Sequence, residues 1–158
     1  MVNIQWCLKA KNGIELVEPN KNVADAYVKK AETCLQELHT VKTTEWKIAT
    51  AYYTMYFALY AILMRVGIKC EIHSCTIASM SEFFSEYFSH EQFTFMKDAS
   101  TARNDAQYYV DHVVSEQIQI KMEKEAPRFL VYCKNIVISL DQKAVEKIRV
   151  LVKKKQRQ

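Results

Sequence analysis

Apolar residues recur at helical spacing along most of this chain and predict a succession of helices. Between residues 22 and 39 they stand three or four positions apart, with lysines and glutamates between them, which is the pattern of a long amphipathic helix. Asn22 is a suitable N-cap, because its side chain can accept a hydrogen bond from the first turn. A first long helix with a charged outer face is therefore expected over 22–39.

Residues 45–66 predict a second helix, and this one has no clear polar face. Thr43 or Thr44 can cap its start, and Gly67 stands where helices commonly end in the left-handed conformation. Because a helix that is apolar nearly all round must be covered, we expect it at the centre of the assembly, contacted by other helices or by a second subunit. Its uncharged stretch, seventeen residues from 48 to 64, is shorter than the ~20 apolar residues that span a bilayer, so no membrane segment is expected.

The rest of the chain continues the helical period in shorter or interrupted segments. Proline disrupts the interior of a helix but is favoured in its first turn, so Pro127 either kinks a helix or starts a new one. The pattern predicts a short helix ahead of Gly13, helices over 74–88, 90–112 and 115–140, and a short amphipathic stretch over 144–155.

The composition indicates an all-α protein. Only two glycines and two prolines occur in 158 residues, which leaves few residues for the tight turns that join strands. The length suits one domain with a proper core. We therefore expect a single domain over 1–158, with an N-terminal extension over 1–20 and a basic helix or tail over 141–158.

The net charge of +4 comes from one end of the chain. Residues 141–158 hold seven lysines and arginines against two acidic residues, so the remainder is close to neutral and has no molecule-wide basic field. This basic end either touches RNA or is a frayed, solvated helix end. The second reading is favoured, because lysines also suit the C-terminal helix dipole.

The five cysteines are odd in number and scattered, and the start of the chain has no basic-then-apolar signal sequence, which predicts a reducing cytoplasm. Cys70, His73 and Cys75 contain good zinc ligands, but a closed zinc site needs four ligands and no fourth stands nearby. Buried thiols and a loop histidine are the favoured reading. We expect neither a metal nor a cofactor.

Residues 102–109 concentrate polar chemistry on a helix that should pack against the core. Arg103 and Tyr108, five positions apart, are close neighbours on that helix. A guanidinium offers five fixed donors suited to phosphate, and a phenol can donate or accept, so together they could hold a phosphodiester. The alternative is that Arg103 simply pairs with Asp98, Asp105 or a carboxylate elsewhere.

A histidine would be the expected proton-transfer group for RNA cleavage, because its charge changes near neutral pH. His112 follows Arg103 by nine positions, so on a straight helix it points about 180° away. The phenol of a tyrosine such as Tyr108 is a weaker base at pH 7. These residues by themselves favour binding over catalysis.

Two segments carry a resemblance to a known family. The first runs Tyr-Tyr-Thr-Met-Tyr-Phe-Ala-Leu-Tyr-Ala-Ile-Leu over 52–63, followed by Gly67-Ile68 and His73, and the second is Arg-Asn-Asp-Ala-Gln-Tyr over 103–108. Both resemble HEPN proteins (higher eukaryotes and prokaryotes nucleotide-binding domains). The opening of the chain also resembles archaeal members, so the similarity covers roughly residues 5 to 140.

The resemblance implies an up-and-down bundle of four or five main helices with short terminal helices, often a homodimer with the second segment at the interface. Many HEPN proteins are metal-independent ribonucleases, in which an Arg and a His a few residues later form a composite site. Others pair with a small nucleotidyltransferase as toxin and antitoxin, or bind RNA without cleaving it.

The resemblance also implies residue roles. Arg103 would hold the phosphate and its developing charge, and Asn104 would position it. Tyr108 stands where the catalytic histidine is usual, so it would transfer a proton or hydrogen-bond the 2′-hydroxyl. Three more residues are expected to contact nucleic acid or nucleotide: Gln107, Tyr109 and His73. For the last of these, the alternative is an N-cap or loop hydrogen bond.

Three functions follow as hypotheses. The first is a HEPN-type RNA-associated protein, dimeric and cytoplasmic, acting as a metal-independent ribonuclease within a toxin–antitoxin or defence system. The second is a non-catalytic module that binds a small nucleotidyltransferase and is modified by it at Tyr108 or Tyr109. The third is a nucleotide sensor in which Arg103 binds phosphate.

Overall fold

Seven helices make up most of the protein, whose computed structural model describes residues 2–158. A two-stranded antiparallel pair, β1 with β2, joins the N-terminal segment to the end of the third helix. The all-α prediction is confirmed. The elements in chain order are α1 (Ile4–Lys9), β1 (Glu15–Leu16), α2 (Lys21–Leu38), α3 (Thr44–Val66), β2 (Ile68–Lys69), α4 (His73–Glu82), α5 (His90–Tyr108), α6 (Glu116–Ser139) and α7 (Gln142–Gln156).

Helix α3 lies at the centre, as its sequence predicts. Fourteen of its 23 residues are buried, and it packs against α2, α5 and α6. Most of the buried side chains are aliphatic, but Tyr52, Tyr56 and Tyr60 also point inward. Helices of the same chain therefore cover most of the apolar surface of α3.

The ends of α2 and α3 show how the local sequence sets helix boundaries. The cap of α2 is Asn20, whose side chain accepts a 3.0 Å hydrogen bond from the Val23 N–H, so the expected cap at Asn22 is wrong by two positions. Gly67 ends α3 with φ +81°, as predicted. A Cβ there would lie 2.4 Å from the Val17 carbonyl oxygen, so only glycine fits.

Helices α4 and α5 both end earlier than their periodicity suggests. Helix α4 stops at Glu82, and the chain then turns through 83–89 before Ser89 and Gln92 form a capping box at the start of α5. Helix α5 stops at Tyr108, not at residue 112. Val110 is fully exposed, so a further turn of helix would bury no apolar surface there.

The C-terminal segment is the helix α7, in agreement with the amphipathic pattern over 144–155, and most of its lysines are exposed to solvent. In α7, Val145, Ile148 and Val152 are buried, and the helix packs against α1 and α3. Arg149 donates to the carbonyl oxygen of Val17 at 2.7 Å. A buried apolar stripe and a guanidinium that satisfies loop carbonyls both stabilise this segment.

Helix α6 continues without a break through Pro127, so no new helix starts at that proline.

A disulfide joins Cys7 of α1 to Cys75 of α4, with 5.5 Å between their Cα atoms. Cys75 is therefore not the buried thiol that its sequence context suggested, whereas Cys70 and Cys133 are buried and free.

Among residues 2–158, no group of three or more His, Cys, Asp or Glu side chains is placed to hold a metal ion. Within the same range, none of the helices combines the length and apolarity needed to cross a bilayer.

Candidate functional site

Arg103 lies on the face of α5 that packs against α3, and its guanidinium is partly buried. One terminal nitrogen, Nη1, donates a 2.8 Å hydrogen bond to the side-chain oxygen of Asn104. The other, Nη2, donates to the hydroxyl of Tyr53 on α3. The side chain is therefore held in one orientation by a neighbour on its own helix and by a phenol from the central helix.

Three tyrosine rings surround this guanidinium. The Arg103 Cζ lies 5.7 Å from the ring centre of Tyr52, and 5.2 Å from those of Tyr53 and Tyr108. At such distances the negative face of an aromatic ring attracts a cation. The predicted closeness of Arg103 and Tyr108 is confirmed, whereas the two rings from α3 were not anticipated.

No carboxylate neutralises Arg103 among the residues that the structure describes. None of the ion pairs includes it, and the Asp105 carboxylate is instead within 2.9 Å of the His112 ring. The alternative in which Arg103 pairs with Asp98, Asp105 or another carboxylate is therefore wrong. Its Nε is buried and has no acceptor, and an unpaired buried donor on a charged group is costly.

His73 completes the cluster from the first residue of α4. Its ring stacks on Tyr56 with 3.9 Å between ring centres, and its Nδ1 is 2.8 Å from the Tyr52 hydroxyl. Ile72 is the N-cap, so the alternative of His73 as the cap is wrong, although the hydrogen bond is real. Burial, assisted by the positive charge of Arg103, lowers the pKa of His73. The imidazole is therefore neutral at pH 7.

Tyr52 remains a neutral phenol beside this arginine. Burial raises the pKa of Tyr52 to about 12, although contact with Ser100 and the charge of Arg103 act in the opposite direction. A neutral phenol can donate to the Nδ1 of a neutral His73, which leaves the proton of that imidazole on Nε2. The inner wall of the site is thus uncharged except for Arg103.

Two surface cavities lie along α5. A cleft of about 520 Å³ lies beyond the end of α5, and Gln107, Tyr108, Tyr109 and His112 contribute to its wall. A second cavity of about 240 Å³ lies between α4 and α5, and Asn104 is among the residues lining it. Arg103 itself lines neither cavity, although it contacts Tyr108 of the first and Asn104 of the second.

The structure brings together only some of the predicted site residues. Arg103, Asn104, Tyr108 and His73 form one connected cluster, whereas Gln107 and Tyr109 line the larger cleft without contacting the guanidinium. The sequence does carry a signal for the tyrosine rings that α3 places beside Arg103. It is the unusual density of tyrosines in an otherwise aliphatic helix, a helix that its pattern assigns to the core.

The position of His112 was also mispredicted. A straight helix would place it opposite Arg103, but α5 ends at Tyr108 and the chain bends back. The His112 Nδ1 then lies 2.9 Å from Asp105, and its ring stacks on Tyr109 with 4.3 Å between ring centres. His112 therefore shares the larger cleft with Tyr108.

Comparisons with known proteins identify no relative: no protein-family model matches this chain, and a search of curated proteins finds no match. The resemblance to HEPN proteins therefore depends on the sequence segments quoted above alone.

Proposed function

We propose that this protein is a HEPN-type RNA-associated protein in which Arg103 binds a phosphodiester of the RNA. The observation that carries the proposal is a guanidinium that pairs with no described carboxylate and is oriented by Asn104 and Tyr53. Arginine prefers planar, bidentate recognition of phosphate oxygens, and a partly desolvated site strengthens such bonds.

The surroundings of Arg103 favour a polymer over a lone phosphate. Two cavities lie along the same helix, and one residue of each, Tyr108 and Asn104, contacts Arg103. Tyr108 is 67% exposed over the larger cleft, and an exposed ring of this kind can stack on an unpaired base. Single-stranded RNA is therefore the favoured class of ligand.

The proposal extends to metal-independent cleavage by a homodimer, in a toxin–antitoxin or defence system. Arg103 would stabilise the charge that develops on the phosphate, Asn104 would position it, and Tyr108 would contact the 2′-hydroxyl. Exposed apolar side chains around the larger cleft suit contact with a second copy of the chain. They include Trp46, Tyr109, Val110 and Val113.

RNA binding by Arg103→Ala tests this proposal. Loss of charge-assisted hydrogen bonds to phosphate should weaken the affinity for a fluorescein-labelled single-stranded RNA by about 10-fold or more. Fluorescence anisotropy at fixed salt measures it, since phosphate contacts make affinity strongly salt-dependent. The matched control is Arg128→Ala, which removes an exposed arginine paired with Glu125 on α6. Equal dissociation constants for wild type and Arg103→Ala would overturn the proposal.

A second function, modification by a nucleotidyltransferase partner, is favoured by the exposure of two phenols. Tyr108, beside Arg103, and the adjacent Tyr109 are 67% and 51% exposed, so a partner enzyme could reach either hydroxyl. In such a transfer the phenol oxygen bonds to the α-phosphorus of a nucleoside triphosphate and pyrophosphate leaves.

Mass spectrometry of the protein isolated from its native cell tests this second function. A nucleotide adduct is expected on the peptide that contains Tyr108 and Tyr109, and it should disappear in the variant that carries both Tyr108→Phe and Tyr109→Phe. An unmodified peptide would exclude this function if the cells also express the genes that neighbour the gene of this protein, among which the nucleotidyltransferase partner is expected.

A further inference from the structure

A small cavity lies where the start of α3 meets the end of α5. Its volume is about 310 Å³, at the lower end of the range for small-ligand sites. Glu45 and Trp46 line it from the first turn of α3, and Ala106, Gln107 and Tyr108 line it from the last turn of α5. The two helices pack against each other, so the fold holds both walls in place.

Each wall of this cavity carries an exposed aromatic side chain. Trp46 on α3 is 60% exposed, and Tyr108 on α5 is exposed as well. Tryptophan is highly buried on average, so an indole that leaves most of its surface in water is available to a ligand. A flat base that enters the cavity can stack on an aromatic ring from either helix.

Tyr108 also connects the cavity to the guanidinium of Arg103. The Arg103 Cζ lies 5.2 Å from the centre of the Tyr108 ring, and the same side chain lines the cavity. A strand whose phosphate binds Arg103 therefore has a partly apolar cavity for a base one side chain away. Cations beside exposed aromatic rings are the usual means by which proteins bind single strands.

The polar groups of the cavity determine which base it favours. The Glu45 carboxylate only accepts hydrogen bonds, whereas the Gln107 amide both donates and accepts. Guanine presents two adjacent N–H donors on its Watson–Crick edge, and uracil presents one donor between two carbonyl oxygens. A carboxylate can accept from both guanine donors, but the carbonyl oxygens of uracil repel it.

We propose that the cavity between Trp46 and Tyr108 binds a nucleobase of the RNA, with guanine as the favoured base, an inference that rests on the RNA-binding function proposed above. The rings of Trp46 and Tyr108 stack on the base. Glu45 accepts hydrogen bonds from its edge and determines specificity.

Fluorescence anisotropy with a labelled, guanosine-containing single-stranded RNA tests the role of Trp46. The variants are Trp46→Ala, Arg103→Ala and the matched control Trp6→Ala, which removes a 52% exposed tryptophan from α1. Loss of one stacked base should weaken RNA binding by Trp46→Ala about 5-fold or more. Trp46→Phe should lose less, because it keeps an aromatic ring, and Trp6→Ala should bind like wild type.

Indole fluorescence separates stacking from a structural effect. The chain has two tryptophans, so in Trp6→Phe the indole emission comes from Trp46 alone. A stacked guanine should quench that emission along the same binding curve as the anisotropy, and binding without quenching would overturn the inference. A change from dimer to monomer in Trp46→Ala, measured by sedimentation velocity, would also overturn it, because the indole would then belong to the contact between two copies.

The base preference is measured with a short oligouridine strand and the same strand carrying one central guanosine. Wild type should bind the second strand about 10-fold more tightly, the scale of hydrogen bonds to a charged group. Glu45→Gln should lose most of this difference. The matched control Glu91→Gln, at an exposed glutamate in the first turn of α5, should keep it. Equal affinities of wild type for the two strands would overturn the assignment of guanine.

The same titrations distinguish this inference from the proposed function. If Trp46→Ala binds RNA like wild type while Arg103→Ala binds weakly, the base site is overturned and phosphate binding by Arg103 stands. If Trp46→Ala binds weakly while Arg103→Ala binds like wild type, the role of Arg103 is overturned and the base site stands. Failure of wild type to bind RNA overturns both.

Discussion

With the ribonuclease function proposed above, Arg103→Ala is expected to lower kcat/KM for cleavage of single-stranded RNA in EDTA by about 10²–10³-fold. This is the loss seen when one preorganised donor to a developing negative charge is removed from an active site. The guanidinium is preorganised here because Asn104 and Tyr53 hold it in place before any ligand binds. Initial rates over a range of RNA concentrations, with cleavage products separated on a gel, measure the effect.

Arg103→Lys and a stability measurement sharpen this prediction. Lysine keeps the charge but loses the planar fork, so activity should fall between those of wild type and alanine. The melting temperature of Arg103→Ala should be measured beside that of wild type, because the variant loses the contacts of Arg103 with Asn104 and Tyr53. Arg128→Ala serves again as the control and should cleave like wild type. A strongly destabilised Arg103→Ala would indicate that this arginine maintains the fold.

Removing the disulfide with the double variant Cys7→Ala/Cys75→Ala is expected to lower the free energy of unfolding by about 4 kcal/mol. The bond closes a loop with a sequence separation of 68, and in the chain-entropy account a loop of that size stabilises the folded state by about this amount. For a chain of this length the melting temperature should fall by roughly 10 °C. Urea titration followed by circular dichroism measures the difference.

The control for the disulfide is Cys34→Ala, which changes a half-buried free cysteine on α2. It should unfold close to wild type. A reducing agent should destabilise wild type but not the double variant. Alkylation under denaturing, non-reducing conditions should modify three cysteines in wild type, and modification of all five would contradict the bond. Because Cys75 follows His73 by two residues, the bond also secures the helix that carries His73 to the site.

Periodicity was a reliable guide where packing and local sequence agree. The central helix α3 and its end at Gly67 were predicted correctly, since an apolar helix must be covered and a left-handed residue favours glycine. Helix ends were predicted less well. Helix α5 stops at Tyr108, and Val110 and Val113 beyond it are exposed and have no core to contact. A pattern of apolar residues cannot reveal the absence of a partner surface.

The basic C-terminus shows what charge leaves open. Most of its lysines are exposed to solvent, while a buried stripe runs along the other face of the same helix and Arg149 donates to a backbone carbonyl of the loop next to α3. Net charge describes the exposed face of a helix and does not reveal what its other face contacts.

By itself, the sequence determined the helical class, the central position of α3 and the closeness of Arg103 to Tyr108, because each of these depends on spacing along one segment. Only the tertiary structure decided which groups surround Arg103, that no described carboxylate neutralises it, that Cys7 reaches Cys75, and that His112 returns to Asp105. Those contacts join segments that are distant in sequence or separated by a helix end. They are set by how the helices pack, for which helical periodicity carries no signal.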